Sequence, residues 1–129
     1  MPRRFRTLPT KRASAVTNEE ESRLSEKQAE EDICYVILLS PTAQDRRDMD
    51  IIRAHVRHLQ ELERSGQLVL CGPFSDSPGG MVIIRAASRE EAAEIAGRDP
   101  YVLSGIRSYE LRTWGLSHEG NRHMGIAAE

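Results

Sequence analysis

The sequence has 129 residues, about the length of one domain, and its net charge of −2 provides no overall basic field that would attract nucleic acid. It contains no apolar run of the roughly 18 residues that a membrane span requires. Its two cysteines do not make a disulfide framework, and no stretch resembles a secretory signal. We therefore expect a cytoplasmic protein that contacts neither nucleic acid nor membrane.

Residues 1–32 carry their charge in two opposite blocks. Residues 1–16 contain five basic residues and no acid, whereas residues 17–32 contain seven acidic residues and two basic ones. Large apolar residues are scarce, so the segment predicts a disordered extension or a fraying helix. A variable extension is the simplest interpretation; a transit peptide and an anion-binding arm are the alternatives for the basic half. The small, polar residues 117–129 predict a flexible tail.

The apolar pattern between residues 33 and 74 predicts a strand, a helix and a second strand. The run Ile33–Leu39 is apolar without a break and rich in β-forming residues, which indicates a strand covered on both faces. A long helix is expected from around Arg46–Asp50 to Gly66, because glycine is well suited to the position after a helix. The segment Gln67–Phe74 then predicts the second strand.

Turn residues and a capping motif define the next elements. The stretch Ser75–Gly80 is dense in turn residues and joins the second strand to a third, Met81–Ala87, most simply as a hairpin. Ser88 and Glu91 form an S-x-x-E capping box, which predicts the start of a second helix. That helix is expected to continue to Gly97.

The last predicted elements are a loop and a fourth strand. The segment Arg98–Gly105 is expected to be a loop, because Pro100 keeps Asp99 out of helical geometry. Ile106–Trp114 alternates sufficiently for a strand. The order β-α-β-β-α-β predicts an α+β, ferredoxin-like fold in which two helices cover one face of a four-stranded antiparallel sheet.

The second face of the predicted sheet has no helix to cover it, although the first strand is apolar on both faces. A second copy packed sheet to sheet, as an isologous dimer, is the simplest cover. We therefore expect residues 33–116 to form the folded domain and to assemble at least as a homodimer.

Two histidines lie in the predicted long helix. On periodicity alone, His55 in the apolar stripe is a core residue bonded to a backbone carbonyl, and His58 lies at the edge of the stripe. A partly buried imidazole is also a suitable acid or base when a second group fixes its tautomer. Asp99, in a loop stiffened by Pro100, is a candidate for that group. The stripe consists of Ile52, His55, Val56, Leu59 and Leu62.

The spacing around these residues resembles the YCII-related family. The pattern R-x-H-x-x-x-L-x-x-L-x-x-x-G-x-L-x-x-x-G-P-F runs from Arg53 to Phe74, and D-P-Y-V-x-x-G follows from Asp99 to Gly105. The likeness covers roughly Ile33–Trp114, with both motifs in the family's order. It implies a dimeric α/β barrel in which a His–Asp pair lines a pocket near the dimer interface. The charged residues 1–32 and the histidine-containing tail depart from typical members.

The same resemblance implies an enzyme that needs no cofactor. His55 matches the family histidine and would act as general acid or base; Asp99 matches the aspartate that would orient it and stabilise the imidazolium. Family members include a dehydrochlorinase, and the wider fold includes muconolactone isomerases and cofactor-free monooxygenases. We therefore expect elimination, isomerisation or hydrolysis of a small metabolite. A non-catalytic ligand-binding or accessory module and a cofactor-free oxygenase are the alternatives.

Further residues have simpler interpretations. The glycine-rich stretch GPFSDSPGG joins two strands, so it is a hairpin turn and not a nucleotide site. Ser75 and Asp76 leave the strand where they would line the pocket mouth, as in relatives, and Tyr101 would form a pocket wall. Both Ser75 and Tyr101 are therefore candidate substrate-binding residues. We expect Tyr35, Tyr109 and Trp114 to be core or interface residues.

The cysteines and histidines do not have the spacing of a metal site. A closed zinc site needs paired ligands at short spacing, such as C-x-x-C, which the sequence lacks. Cys34 and Cys71 lie in predicted strands, where a buried thiol acts as a small apolar residue. His118 and His123 belong to the expected tail. We therefore expect no metal.

Overall fold

The computed structural model describes residues 32–126. The expected charged extension lies outside the described residues except for Asp32, and so do the last three residues of the expected tail. Among the described residues, 35–113 form one compact unit, and 32–34 with 114–126 form another. No helix in residues 32–126 is both long enough and apolar enough to cross a membrane.

The strands and helices of residues 33–115 follow the predicted order. The strands are β1 (Ile33–Pro41), β2 (Leu68–Pro73), β3 (Gly80–Ile84) and β4 (Arg107–Gly115), and the helices are α1 (Met49–Arg64), α2 (Arg89–Arg98) and α3 (Pro100–Leu103). The strands are hydrogen-bonded in the order β2-β3-β1-β4, and β3 is antiparallel to both β1 and β2. The predicted ferredoxin-like fold with a four-stranded antiparallel sheet is confirmed.

The predicted loop after α2 contains a short helix, so that prediction was wrong in part. Asp99 is extended, with φ −61° and ψ 127°, as expected for a residue before proline. Pro100, however, is the first residue of α3. Proline is tolerated in the first turn because its missing N–H would have no partner there, and its fixed φ suits the helix. The prediction treated Pro100 as a helix breaker and missed that it also starts one.

Helix α1 has both of its ends fixed by local chemistry. The carboxylate of Asp48 accepts hydrogen bonds from the backbone N–H groups of Asp50 and Ile51, at 3.0 and 3.2 Å. At the other end Gly66 has a φ of +79°, the left-handed conformation that glycine adopts without strain. Along the predicted apolar stripe His55 and Leu62 are buried, whereas Val56 is 44% exposed. The buried stripe is thus narrower than periodicity predicted.

The two faces of the sheet differ in burial. On β1, Tyr35, Ile37 and Leu39 are buried, and the register places Tyr35 and Ile37 opposite the buried Ile84 and Val82 of β3. Leu39 and Val82 share a cavity with residues of α1, which identifies this as the helix-covered face.

The alternate residues of the sheet point to its other face. Val36 and Leu38 are only half-buried there, and Leu70 of β2 is 39% exposed. The register pairs both Val36 and Leu70 with Ile83, which is itself only 4% exposed, and this places all three on the same side of the sheet. We call Val36, Leu38 and Leu70 the open face.

The smaller unit is organised around Asp32. Its carboxylate accepts hydrogen bonds from His118 Nε2 at 2.7 Å and from Asn121 Nδ2 at 3.0 Å. A 3₁₀ helix spans Glu119–Asn121, and a short helical turn follows at Arg122–Gly125. The flexibility expected of residues 117–129 stays a prediction.

Candidate active site

His55 and Asp99, which are 44 positions apart in the sequence, form a hydrogen bond in the folded chain. His55 Nδ1 lies 2.8 Å from Asp99 Oδ1. His55 is in the middle of α1, and Asp99 connects α2 to α3. Both residues are buried, with 9% and 3% of their surfaces exposed. The structure therefore gives this histidine a carboxylate partner, where periodicity alone favoured a backbone carbonyl.

The Asp99 carboxylate is held in place by the backbone of the following helix. The N–H of Tyr101 donates to Asp99 Oδ1 at 2.9 Å, and the Asp99 carbonyl accepts from Val102 and Leu103 at 2.8 and 2.9 Å. A carboxylate has only hydrogen-bond acceptors, so His55 Nδ1 is the donor in the histidine–aspartate hydrogen bond. In a neutral imidazole this leaves the lone pair on His55 Nε2.

Tyr101 fixes the plane of the imidazole. The rings of Tyr101 and His55 are stacked, with their centroids 3.8 Å apart and their planes 12° from parallel. Burial raises the pKa of Tyr101, and the nearby carboxylates of Asp99 and Asp45 add to this effect, while Arg107 opposes it. The phenol is therefore protonated at neutral pH and is able to donate a hydrogen bond.

A cavity of about 260 Å³ lies beside this pair. It is slightly below the usual volume of ligand pockets, about 300–1,000 Å³, which favours a small molecule. Most of its wall is apolar or glycine backbone. The lining residues are Leu39, His55, Val56, Leu59, Cys71, Gly72, Pro73, Gly79, Gly80, Met81, Val82, Tyr101 and Arg107. Within residues 32–126 no three His, Cys, Asp or Glu residues are grouped to hold a metal ion.

Cys71 belongs to this cavity wall, and its predicted burial was wrong. Cys34 is fully buried, as expected of a small apolar side chain, whereas Cys71 is exposed. Cys71 is on the edge strand β2 and lines the cavity, whereas Cys34 is on the inner strand β1. Strand identity alone did not indicate which strand lies at the edge.

The backbone of the hairpin closes one side of the cavity. Gly79 has a φ of +98°, and a Cβ atom there would lie 2.4 Å from the carbonyl oxygen of Leu39. A Cβ atom on Gly80 would lie 2.7 Å from the carbonyl oxygen of Gly72. These glycines therefore allow the hairpin to approach its neighbouring strands more closely than any side chain permits.

Of the other residues predicted for the site, one lines the cavity and two do not. Tyr101 lines the cavity, as stated above. Ser75 and Asp76 are exposed in the β2–β3 turn, and neither is among the residues that line the cavity. The substrate-binding role of Ser75 stays a prediction.

Arg107 was missed by the sequence analysis. Its guanidinium carbon lies 5.4 Å from the centroid of the Tyr101 ring, and the residue lines the cavity. Arg107 Nη1 forms an ion pair with Asp45 and donates to the carbonyl of Ile106 at 3.2 Å. In the sequence Arg107 has no motif or spacing that marks it. Its place in the site results from where β4 begins in the fold.

His58 lies near the pair but not in the cavity wall. Partial burial lowers the pKa of His58 below its ordinary 6.5; Asp99 opposes this effect, and His55 and Arg98 contribute to it. A histidine with a lowered folded-state pKa binds its proton more readily in the unfolded chain. The stability it contributes is therefore present above pH 6.5 and is lost as the pH falls through the folded-state pKa.

We accordingly expect His58→Gln to reduce the acid sensitivity of folding. Urea unfolding of both proteins between about pH 7.5 and 5.5 measures this, because all other titrating groups are shared. The wild type should lose more unfolding free energy over this interval than the variant. An equal or greater loss of unfolding free energy in His58→Gln would contradict a lowered pKa for His58.

Comparison with known proteins identifies the family. The sequence profile of the YCII-related domain matches residues 33–115. The Bacillus subtilis (strain 168) protein described as "Uncharacterized protein YjpA" is 35% identical over 82 residues, covering 64% of this chain and 96% of that protein.

A solved structure has the same fold. It is 5-chloro-2-hydroxyhydroquinone dehydrochlorinase (TftG) from Burkholderia phenoliruptrix AC1100, in complex with 2,5-dihydroxybenzoquinone. The TM-score is 0.51 at 18% sequence identity, and the match covers 67% of this chain and 96% of that one. At this identity the similarity concerns the fold. The profile match and the relative in Bacillus subtilis together show that the chain belongs to the YCII-related family.

Proposed function

We propose that this protein is an enzyme that uses His55 as general base and acid on a small molecule bound in the adjacent cavity. The observation that carries the proposal is the buried hydrogen bond of 2.8 Å between His55 Nδ1 and Asp99 Oδ1. It orients the imidazole and leaves Nε2 as the ring nitrogen available to accept a proton. A backbone carbonyl would satisfy the N–H of a histidine that only packs, whereas a carboxylate also stabilises the imidazolium that an acid–base role requires.

The proposed chemistry begins with transfer of a substrate proton to His55 Nε2. The imidazolium that forms is stabilised by the Asp99 carboxylate. In an elimination, the electron pair of the broken C–H or O–H bond expels a leaving group. In an isomerisation, the same proton returns to another atom of the substrate. In a hydrolysis, the proton is taken from water while the water oxygen bonds to the substrate, and the imidazolium then gives the proton to the group that leaves. Tyr101, protonated at neutral pH, would form a wall and donate a hydrogen bond.

Elimination on a hydroxylated ring is the first reaction to test. The structurally similar dehydrochlorinase is named for a reaction on 5-chloro-2-hydroxyhydroquinone, and its complex holds a single-ring quinone. The cavity of about 260 Å³ is suited to a molecule of that size. Engineered cavities of about 150 Å³ already bind benzene.

The pH dependence of turnover tests this proposal. A histidine that acts as general base gives a rate that rises with pH between about pH 5 and 8, because the imidazole can accept a substrate proton only in its neutral form. We expect such a rise in kcat/KM for a halogenated hydroxyhydroquinone. Tight binding of these rings without any turnover would contradict the enzyme proposal and would identify a ligand-binding module.

We also propose that the protein is a homodimer that buries its open face. Val36 and Leu38 are half-buried and Leu70 is 39% exposed, although they lie on the same strands as core residues. A second copy provides a matching apolar surface by symmetry. Light scattering should give twice the chain mass of 14.5 kDa. A monomer at micromolar concentration would contradict the proposal.

A further inference from the structure

The ionisable groups of the cavity wall are unbalanced in charge. Among the described residues that line it, Arg107 is the one permanently charged side chain, and none of the lining residues is acidic. The Asp99 carboxylate lies behind His55 and is not part of the wall. A ligand in this cavity therefore meets one guanidinium, one imidazole, one phenol and the Cys71 thiol, surrounded by apolar groups and backbone.

Two nitrogen atoms of the Arg107 guanidinium are available to donate hydrogen bonds to a ligand. Its Nη1 donates both of the side chain's hydrogen bonds within the described residues, one to Asp45 and one to the Ile106 carbonyl. Within the described residues Nε and Nη2 have no such partner. Arginine presents its donors in a planar fork that matches a carboxylate or similar oxyanion. The ion pair with Asp45 holds the side chain, and two nitrogens are left for a ligand.

Asp45 offsets part of the positive charge of Arg107, and two features of the surroundings preserve the rest. The side chain is 19% exposed, so water screens its charge less than that of a surface arginine. A second cavity of about 270 Å³ shares Tyr101 and Arg107 with the first, and it is also lined by Arg46 and Arg47. Asp45 is the one acidic residue in that lining. Arg46 is also 3.9 Å from the carboxylate of Asp48. Three arginines against the two aspartates Asp45 and Asp48 leave a net positive charge, which favours the approach of an anion.

From this arrangement we propose that the cavity takes a small planar anion, with a carboxylate or ring oxyanion bound by Arg107 while the ring lies beside Tyr101 and His55. This inference rests on the proposed function in naming the substrate class for the same site. It assigns Arg107 as a binding residue that distinguishes charged from neutral ligands.

Benzoate and benzamide provide a matched pair of probes, because both are single-ring molecules of similar size and differ in charge. Dissociation constants are measured by ligand titration of the ¹⁵N-labelled full chain, with the backbone amides of Gly72, Gly79 and Tyr101 as reporters. We expect benzoate to bind at least about tenfold more tightly than benzamide, which is the scale of one charge-assisted hydrogen bond. Equal affinities, or no benzoate binding, would overturn the inference.

Three variants distinguish a ligand-binding role of Arg107 from a purely structural one. Arg107→Gln should remove the preference for benzoate, and Arg107→Lys should restore part of it, because lysine keeps the charge without the fork. Asp45→Asn removes the competing negative charge, while the amide oxygen of asparagine can still accept a hydrogen bond from Arg107 Nη1 and hold the guanidinium in position. It should therefore retain or strengthen benzoate binding. If Asp45→Asn loses the preference as Arg107→Gln does, Arg107 has only a structural role.

The same experiments distinguish this inference from the proposed function. His58→Gln should keep the preference for benzoate, because His58 does not line the cavity and the variant leaves Arg107 unchanged. An Arg107-dependent preference in a protein without turnover would support the inference and contradict the enzyme. Turnover that depends on His55, with equal binding of benzoate and benzamide, would support the enzyme and overturn the inference.

Discussion

Replacing His55 with glutamine is expected to lower kcat/KM by about 10²–10⁴-fold, the usual contribution of a general acid or base. Glutamine is preferred to alanine because its amide can still donate to Asp99, which is 3% exposed and would otherwise lose a buried partner. The fold should therefore survive while the proton acceptor is lost. Turnover by the purified variant, measured beside its unfolding free energy, checks both parts.

The matched control is His58→Gln, the same change three positions further along α1. His58 does not line the cavity. Its replacement should leave kcat/KM within a fewfold of the wild type. If His55→Gln and His58→Gln have the same turnover, the acid–base role of His55 is wrong.

Asp99→Asn tests the second member of the pair. Asparagine can still accept the hydrogen bond from the Tyr101 N–H, so the start of α3 is retained. It has no negative charge to stabilise the imidazolium, and its amide allows the opposite imidazole tautomer. We expect kcat to fall at least tenfold, in the direction seen when the aspartate of a catalytic triad is replaced by asparagine.

Gly79→Ala is expected to destabilise the fold by at least about 2 kcal/mol. The new Cβ would lie 2.4 Å from the Leu39 carbonyl oxygen, and the backbone φ of +98° is strained for any residue with a side chain. The hairpin would have to move away from β1, which also opens the cavity wall. Urea unfolding of wild type and variant provides the measurement.

Gly97→Ala provides the control for this substitution. Gly97 lies in α2, its φ is outside the left-handed region, and a Cβ atom there meets no other atom within 4 Å. Alanine is the better helix former, so the variant should be unchanged or stabilised by up to about 1 kcal/mol. Equal destabilisation by both substitutions would contradict the account of the hairpin.

Local sequence patterns were sufficient to predict the fold. The β-α-β-β-α-β order follows from apolar periodicity, the Ser88 capping box and the turn-rich hairpin, because these signals depend on neighbouring residues. Asp99 was predicted to be extended before Pro100, and it is. The short helix α3 was missed because proline both ends one helix and starts the next.

The site was less accessible to prediction because it is assembled from distant parts of the chain. Periodicity placed His55 in the apolar stripe, and the family resemblance was needed to pair it with Asp99. Arg107 and Cys71 have no local signal at all. Their exposure to the cavity depends on the sheet order β2-β3-β1-β4, which local patterns do not specify.

The central claim is that Asp99 orients His55 as an acid–base residue. The most direct test determines which ring nitrogen of His55 carries the proton, and it needs no substrate. Long-range ¹H–¹⁵N NMR correlation of the labelled imidazole distinguishes the two neutral tautomers. The hydrogen bond to Asp99 predicts that the neutral imidazole of His55 is protonated on Nδ1 and unprotonated on Nε2. Asp99→Asn should weaken this preference. A neutral His55 protonated on Nε2 in the wild type would contradict the proposed acid–base pair.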